Sequence, residues 1–194
     1  MNKIIKNTLI LTAITVVSGL LLGLVYDITK KPIAIAQENT RQEAFRSVLP
    51  DAASFEEYGE YDAEKAGELL RENGYDSNEI SDAVTGKDGS GGTVGYAGDI
   101  EISVGIAADG TVTGIEMLSI SETAGLGMKA AETDFKDQFK DKKVEKFSYT
   151  KSGESGDDMI DAISGATITT NAVTNAVDAA LVYYQNELGG GVIE

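Results

Sequence analysis

Few residues in this 194-residue chain can do chemistry by themselves, because it contains no Cys, no His and no Trp. Without thiols or imidazoles, a structural zinc site, a haem ligand set and a Cys-bound iron–sulfur cluster are all disfavoured. Ser-His and Cys-His nucleophiles are excluded. What remains is carboxylates, hydroxyls, Lys, backbone amides or a bound cofactor. Two stretches gather such groups. The first is Asp161-Ala-Ile-Ser164-Gly165-Ala166-Thr167, followed by Ile168-Thr169-Thr170-Asn171. Small and hydroxyl residues stand there just ahead of a helix-like run. A helix N-terminus offers free N–H groups and a positive dipole end, which suits a phosphate, and Gly165 and Ala166 let an anion approach the backbone. The plainer alternative is a loop and an N-cap, with Thr169, Thr170 or Asn171 capping. The second stretch is Ser121-Glu122-Thr123-Ala124-Gly125-Leu126-Gly127. Two glycines around one Leu make a tight loop with an apolar tip. Such a loop can lay Leu126 on a flat ligand while Thr123 or backbone amides bond its polar edge, or it is only a strand-to-helix turn.

The elements that position these stretches follow from periodicity. Ala172, Val173, Ala176, Val177, Ala180, Leu181 and Tyr184 recur at helical spacing, predicting a helix to Leu188 behind the first stretch. Ile100, Ile102, Val104 and Ile106 alternate with Glu101, Ser103 and Gly105, a strand signature. Asp109-Gly110 is a hairpin turn. Thr111 to Ile120 is the returning strand, leading straight into the Glu122 loop. Met128 to Phe139 reads as a helix and Val144 to Thr150 as a strand. Upstream, 34–49 reads as a helix ending at Pro50, Asp62–Asn73 as a second helix stopped by Gly74, and Ser77 to about Val84 as a short third one. The Gly-rich run from Gly86 to Gly92 lacks the Gly-Lys-Ser/Thr ending of a phosphate loop and reads as a connector.

The formal charge is −16. Residues 32–194 hold 12 basic and 31 acidic residues, a net −19 that repels nucleic acid and anionic lipid. Asn7 to Tyr26 is uncharged and mostly aliphatic. About 20 helical residues span a bilayer core of roughly 30 Å, so this stretch predicts a membrane anchor. A cleaved signal peptide is the rival, since Ala34-Ile35-Ala36 fits an A-x-A site. The apolar run is, however, longer than the usual h-region of about 7–15 residues. Lys3 and Lys6 before the span balance Lys30 and Lys31 after it, so the positive-inside rule leaves the orientation open.

The two stretches together resemble a known family. Glu122-Thr-Ala-Gly-Leu-Gly127 resembles its E-T-x-G-L-G loop, and Asp161-Ala-Ile-Ser-Gly-Ala-Thr167 its D-x-x-[S/T]-G-A-T flavinylation motif. Both mark FMN-binding domains like the one in the RnfG component of the Rnf electron-transport complex, which is related to the NqrC component of the sodium-pumping NADH:quinone oxidoreductase. The resemblance covers the whole chain and is most specific over 93–188. It implies an α+β FMN-binding domain with a small antiparallel sheet and flanking helices, on one N-terminal transmembrane helix. It divides the chain into an anchor (1–31, spanning about 7–26), a helical membrane-proximal segment (32–92) and the FMN-binding domain (93–194). It also implies an electron-carrying subunit of an ion-translocating ferredoxin:NAD oxidoreductase, rather than a stand-alone enzyme. In that family a flavin transferase moves FMN from FAD onto the motif Thr as a phosphoester, here Thr167. Ser164, Gly165 and Ala166 would line the attachment, and Asp161 would serve recognition by the transferase. Glu122, Thr123, Gly125, Leu126 and Gly127 would lie near the flavin ring, with Lys129 a further contact. Partners would be the other subunits, the transferase and membrane lipid, with no nucleic acid, and the soluble part would face the extracytoplasmic side. Two positions depart from the family pattern: Ala124 stands where many members have Pro, and Ser121 where some have His. The alternatives are the quinone-oxidoreductase component, another flavinylated electron-transfer protein, and a cofactor-free anchored interaction domain.

Overall fold

The computed structural model describes residues 2–76, 78–86, 91–97, 100–154 and 156–188. By internal contacts the chain forms two compact units, Met1–Thr40 and Arg41–Glu194. The first unit is one helix, the greater part of α1 (Lys3–Val48). Among the described residues only this helix is long and apolar enough to cross a membrane, with a mean hydropathy of 2.4 over its best 18 residues. Its Leu, Ile and Val side chains are exposed from Ile4 to Ile35. Thr8, Thr15 and Thr29 turn their hydroxyls back onto the carbonyls of Ile4, Leu11 and Val25, so these polar groups are satisfied within the helix.

The second unit is an α+β fold, as expected. Its sheet is an antiparallel meander in the order β1 (Phe55–Glu57), β2 (Glu79–Gly86), β3 (Gly91–Ala97), β4 (Ile100–Ala107) and β5 (Val112–Ile120). The alternation in β4 holds: Ile100, Ile102, Val104 and Ile106 are all buried. Ser103 and Gly105, on the opposite face, are buried as well. A Cβ on Gly105 would lie 2.6 Å from the Val48 carbonyl oxygen, so the C-terminal turn of α1 packs directly on that face. The expected turn at Asp109-Gly110 closes the β4–β5 hairpin, with Gly110 at φ 88° and the Asp109 carboxylate accepting from the Thr111 N–H.

Several local expectations are corrected. The third helix expected from Ser77 to about Val84 does not form over 78–84: from Glu79 onward these residues are strand β2, because Ile80, Ala83 and Val84 are buried on pairing with β3, and Ser77 lies outside the described residues. Gly86 and Gly91-Gly92 belong to paired strands, and the intervening 87–90 lie outside the described residues. Helix α2 (Ala63–Glu72) forms where expected, capped by the Asp62 carboxylate on the N–H groups of Glu64 and Lys65 and followed by Gly74 at φ 84°. The helix expected over 128–139 is broken into a 3-10 turn (Gly127–Ala131), α3 (Thr133–Lys136) and a second 3-10 turn (Asp137–Phe139). Its buried residues, Ala130, Phe135 and Phe139, are anchors at irregular spacing, so no continuous helix face is required. Strand β6 spans only Ser148–Thr150 and runs parallel to β7 (Met159–Asp161).

Helix α4 (Thr167–Glu187) is the centre of the core. It starts five residues earlier than its apolar periodicity predicts. It is buried on most of its circumference, from Thr169 and Thr170 through Val173, Ala176, Val177 and Leu181 to Tyr184. The Tyr184 hydroxyl donates to the Ala107 carbonyl at 2.9 Å, and Tyr58 donates to the Glu187 carbonyl at 2.8 Å, fixing the far end of the helix. Within this core sits a carboxylate. Asp178 is 1 % exposed and accepts the Phe147 N–H at 2.8 Å on Oδ1.

Burial pushes the Asp178 pKa up from 3.8 to about 6, against the pull of the Phe147 N–H, the Lys146 ammonium and the Tyr75 hydroxyl. A raised folded-state pKa means that protonation favours the fold. This contribution is complete below the unfolded value and is lost as pH rises through about 6. Asp178→Asn keeps an oxygen for Phe147 and removes the titration. The stability of the variant relative to the parent should therefore increase by about 2 kcal/mol from roughly pH 4 to pH 7. Urea midpoints of the detergent-solubilised chain across that range measure it; a difference independent of pH would rule out the titration.

Candidate functional site

The two stretches singled out by chemistry meet at the start of α4. Ile163-Ser164-Gly165-Ala166 forms a tight turn in which the Ala166 N–H donates to the Ile163 carbonyl at 2.9 Å. Gly165, at φ 80°, takes the third position, where a type II turn needs a residue without a Cβ. Thr167 then opens the helix. No side chain caps it, and no acidic residue stands in its first turn. Thr169, Thr170 and Asn171 lie inside the helix and so are not its cap, which corrects that alternative. The first N–H groups of a helix have no intrahelical acceptor, so this end keeps donors and a positive dipole for an anion. Thr170 instead braces the turn from behind: its buried hydroxyl accepts the Ile163 N–H at 3.0 Å and donates to the Ala166 carbonyl at 3.1 Å.

The opposing loop is built in the same way. Leu126 N–H donates to the Thr123 carbonyl at 3.1 Å, and Met128 N–H reaches the same oxygen at 3.2 Å. Gly125, at φ 78°, again supplies the left-handed position, and Ala124 precedes it where a type II turn often has Pro. This loop packs closely on the start of α4. A Cβ on Gly127 would fall 2.5 Å from Glu122 Oε2 and 2.7 Å from Thr169 Oγ1, and one on Gly165 would fall 3.0 Å from Leu126 Cδ2. Between loop and helix lies a cleft of about 440 Å³, lined by Glu122, Thr123, Leu126, Gly127, Gly165, Ala166, Thr167, Ile168 and Thr169.

Seven of the residues singled out from the sequence therefore share one cleft. Gly125 and Ser164 are exposed and shape the two turns without lining it. Lys129 is exposed on the 3-10 turn beyond the loop and does not line the cleft. Asp161 also stands outside it, exposed at the end of β7. Its backbone is held by Gln138: the Asp161 N–H donates to Gln138 Oε1 at 2.6 Å, and Gln138 Nε2 lies 3.5 Å from the Asp161 carbonyl. Sequence reasoning missed Ile168 and Thr169 as lining residues and Thr170 and Gln138 as braces. A Thr one turn into a helix, four residues after a turn carbonyl, is a readable signal for such back-bonding. Nothing local marks Gln138, which acts across 23 residues.

Thr170→Val removes the hydroxyl at constant shape and strands the Ile163 N–H in a buried place. The expected cost is about 1–3 kcal/mol, lowering the thermal midpoint by several degrees. Thr170→Ser should restore most of it in a melting experiment, since the hydroxyl makes both bonds.

The chain's relatives bear on what fills this cleft. Residues 95–182 match the family model of the FMN-binding domain, and residues 1–48 that of the RnfG N-terminal region. The chain is 35% identical to the G subunit of the Na(+)-translocating ferredoxin:NAD(+) oxidoreductase complex of Acetobacterium woodii, over 94% of this chain and 92% of the relative. It is 35% identical to the G subunit of the ion-translocating oxidoreductase complex of Methanosarcina acetivorans, over 97% of this chain and 98% of the relative. The crystal structure of Shewanella oneidensis NqrC aligns with a TM-score of 0.43 at 20% identity, covering 54% of this chain and 57% of that one. The protein is thus a single-pass membrane protein with an FMN-binding domain, and it belongs to the RnfG family, the G subunits of ion-translocating oxidoreductase complexes.

Proposed function

We propose that this chain is the electron-carrying subunit of an ion-translocating ferredoxin:NAD oxidoreductase complex and holds FMN covalently, by a phosphoester to the Thr167 hydroxyl. One observation carries the reading. Thr167 is the first residue of a helix whose N-terminus has neither side-chain cap nor first-turn carboxylate, and it faces the Glu122–Gly127 loop across a shared cleft. The residues present fit the group. A phosphodiester keeps one negative charge, which the helix end stabilises. The cleft volume lies within the range of small-molecule sites, roughly 300–1,000 Å³. Leu126 and Ile168 offer apolar surface to a flat ring, and Thr123 and Glu122 offer polar contacts to its edge.

FMN, when bound, supplies the redox chemistry; the protein's part is to orient the ring, shield it and set the polarity around it. Attachment uses FAD as donor. A flavin transferase joins Thr167 Oγ1 to the FMN phosphorus, the bond between the two phosphates breaks, AMP leaves and the hydroxyl proton is released. The exposure of Asp161 at the head of the motif, outside the cleft, supports its recognition by that enzyme rather than a contact to the flavin. Lipid surrounds the apolar part of α1, and the soluble unit faces the extracytoplasmic side.

Co-expressed with the transferase, the protein should stay fluorescent through denaturing electrophoresis, and Thr167→Ala should abolish that fluorescence with an unchanged melting curve. Peptide mass mapping that finds the flavin elsewhere would sink the assignment. Orientation has its own test, helped by the absence of native Cys. Ser54 is exposed in the soluble unit. Ser54→Cys should react with an impermeant thiol reagent in intact cells; labelling only after lysis would put the flavin on the cytoplasmic side.

A further inference from the structure

One charged side chain lines the cleft. Eight of its nine lining residues are uncharged, and the ninth is Glu122. Little charge stands nearby in the chain: the sixteen residues from Ala162 to Val177 contain none, and Lys129 is exposed outside the cleft. Glu122 is half-buried, and among the described residues it has no salt bridge. Its place is set by a glycine. A Cβ on Gly127 would stand 2.5 Å from Glu122 Oε2, 2.8 Å from Glu122 Cβ and 2.7 Å from Thr169 Oγ1. The missing side chain leaves a slot in which the carboxylate lies over Gly127, beside the first turn of α4. Gly127 is not among the glycines at positive φ, so close approach, not backbone conformation, is what excludes a side chain there. An acidic residue that only kept the domain soluble would stand in water, as Asp51 and Glu154 do. A half-buried carboxylate without a cation carries a desolvation cost, and such a departure marks a functional position.

We infer that Glu122 sets the redox potential of the bound flavin, and that it holds this potential low. The inference rests on the function proposed above and concerns the same cleft. Reduction adds electrons to the ring. A fixed negative charge repels them, and the repulsion is stronger in a partly desolvated cleft than in open water. No Lys or Arg lines the cleft to offset it, and the positive end of α4 is taken up by the phosphate. The oxidised form is therefore favoured, and the reduced flavin becomes a stronger donor to the next carrier. Charge placed near the ring is one of the means by which a protein tunes its cofactor. Glu122 itself forms no bond and gains or loses no electron: the electrons come from the complex's donor and leave to its next carrier.

The test is a spectroelectrochemical titration of the flavin-loaded full chain in detergent. Glu122→Gln removes the charge at nearly constant shape. It should load with flavin and melt as the parent does. At a fixed potential near the midpoint its ratio of reduced to oxidised flavin should be about tenfold higher. For a two-electron couple that is a midpoint raised by about 30 mV. Glu122→Asp keeps the charge but withdraws it by one methylene, and its midpoint should lie between the two. Asp51→Asn removes an exposed charge that does not line the cleft and should titrate as the parent. An unchanged or lowered midpoint in loaded Glu122→Gln overturns the inference. A lowered melting temperature with the parent's midpoint does so too, since Glu122 would then only support the loop. Failure of a folded Glu122→Gln to take up flavin would make the residue a contact of the transferase and also overturn it. If Glu122→Gln does not fold, Glu122→Asp decides: a midpoint above the parent's supports the inference, and an equal one overturns it. A parent chain with no covalent flavin would instead refute the function on which the inference rests.

Discussion

Two close approaches set the geometry of this protein's site. Gly127 lies against Thr169 and Glu122, and Gly165 lies against Leu126, with little or no room for a Cβ at either. Neither loop would hold the cleft alone. The first turn of α4 gives a floor with unpaired N–H groups, and the Glu122–Gly127 loop gives a wall with an apolar tip. Only their contact turns floor and wall into a cavity. Gly125 and Gly165 occupy the left-handed region, so the tightness of both turns comes from backbone that other residues adopt at a cost.

The site is held from behind by parts that never line it. Helix α4 is buried nearly all round, so its start is fixed by the whole core rather than by local propensity. Tyr184 and Tyr58 fasten its far end to the sheet and to the chain ahead of α2, Thr170 clamps the preceding turn, and Gln138 holds the backbone of Asp161. A site carried on the end of a rigid element keeps its donors in place without reorganisation. The same packing explains why a carboxylate survives at Asp178, where one backbone N–H and a nearby ammonium offset part of its desolvation.

Charge divides the soluble unit. Residues 41–194 carry 12 basic and 30 acidic residues, a net −18. The first three turns of α4 and the turn before them carry no charge, so the positive end of the helix dipole is not cancelled by neighbouring carboxylates.

Much of this was legible in the sequence. The hairpin at Asp109-Gly110, the alternation of β4, the Asp62 cap and Gly74 stop of α2, the apolar first helix and the two motifs all rest on short-range rules of period, turn chemistry and spacing. What failed was decided at long range. Residues 79–86 became a strand because β3 offers them a partner, although their capping signal and length suit a helix. The 128–139 segment broke into turns because Ala130, Phe135 and Phe139 anchor it at irregular spacing. Helix α4 began at Thr167, ahead of its apolar periodicity, because tertiary burial takes in Thr169 and Thr170. Sequence alone marked the two stretches, Glu122–Gly127 and Asp161–Thr167, as those whose residue types could do chemistry. Tertiary structure alone decided that Gly127 and Gly165 bring those residues together, because contact between segments some forty residues apart is fixed by packing, which no local pattern encodes.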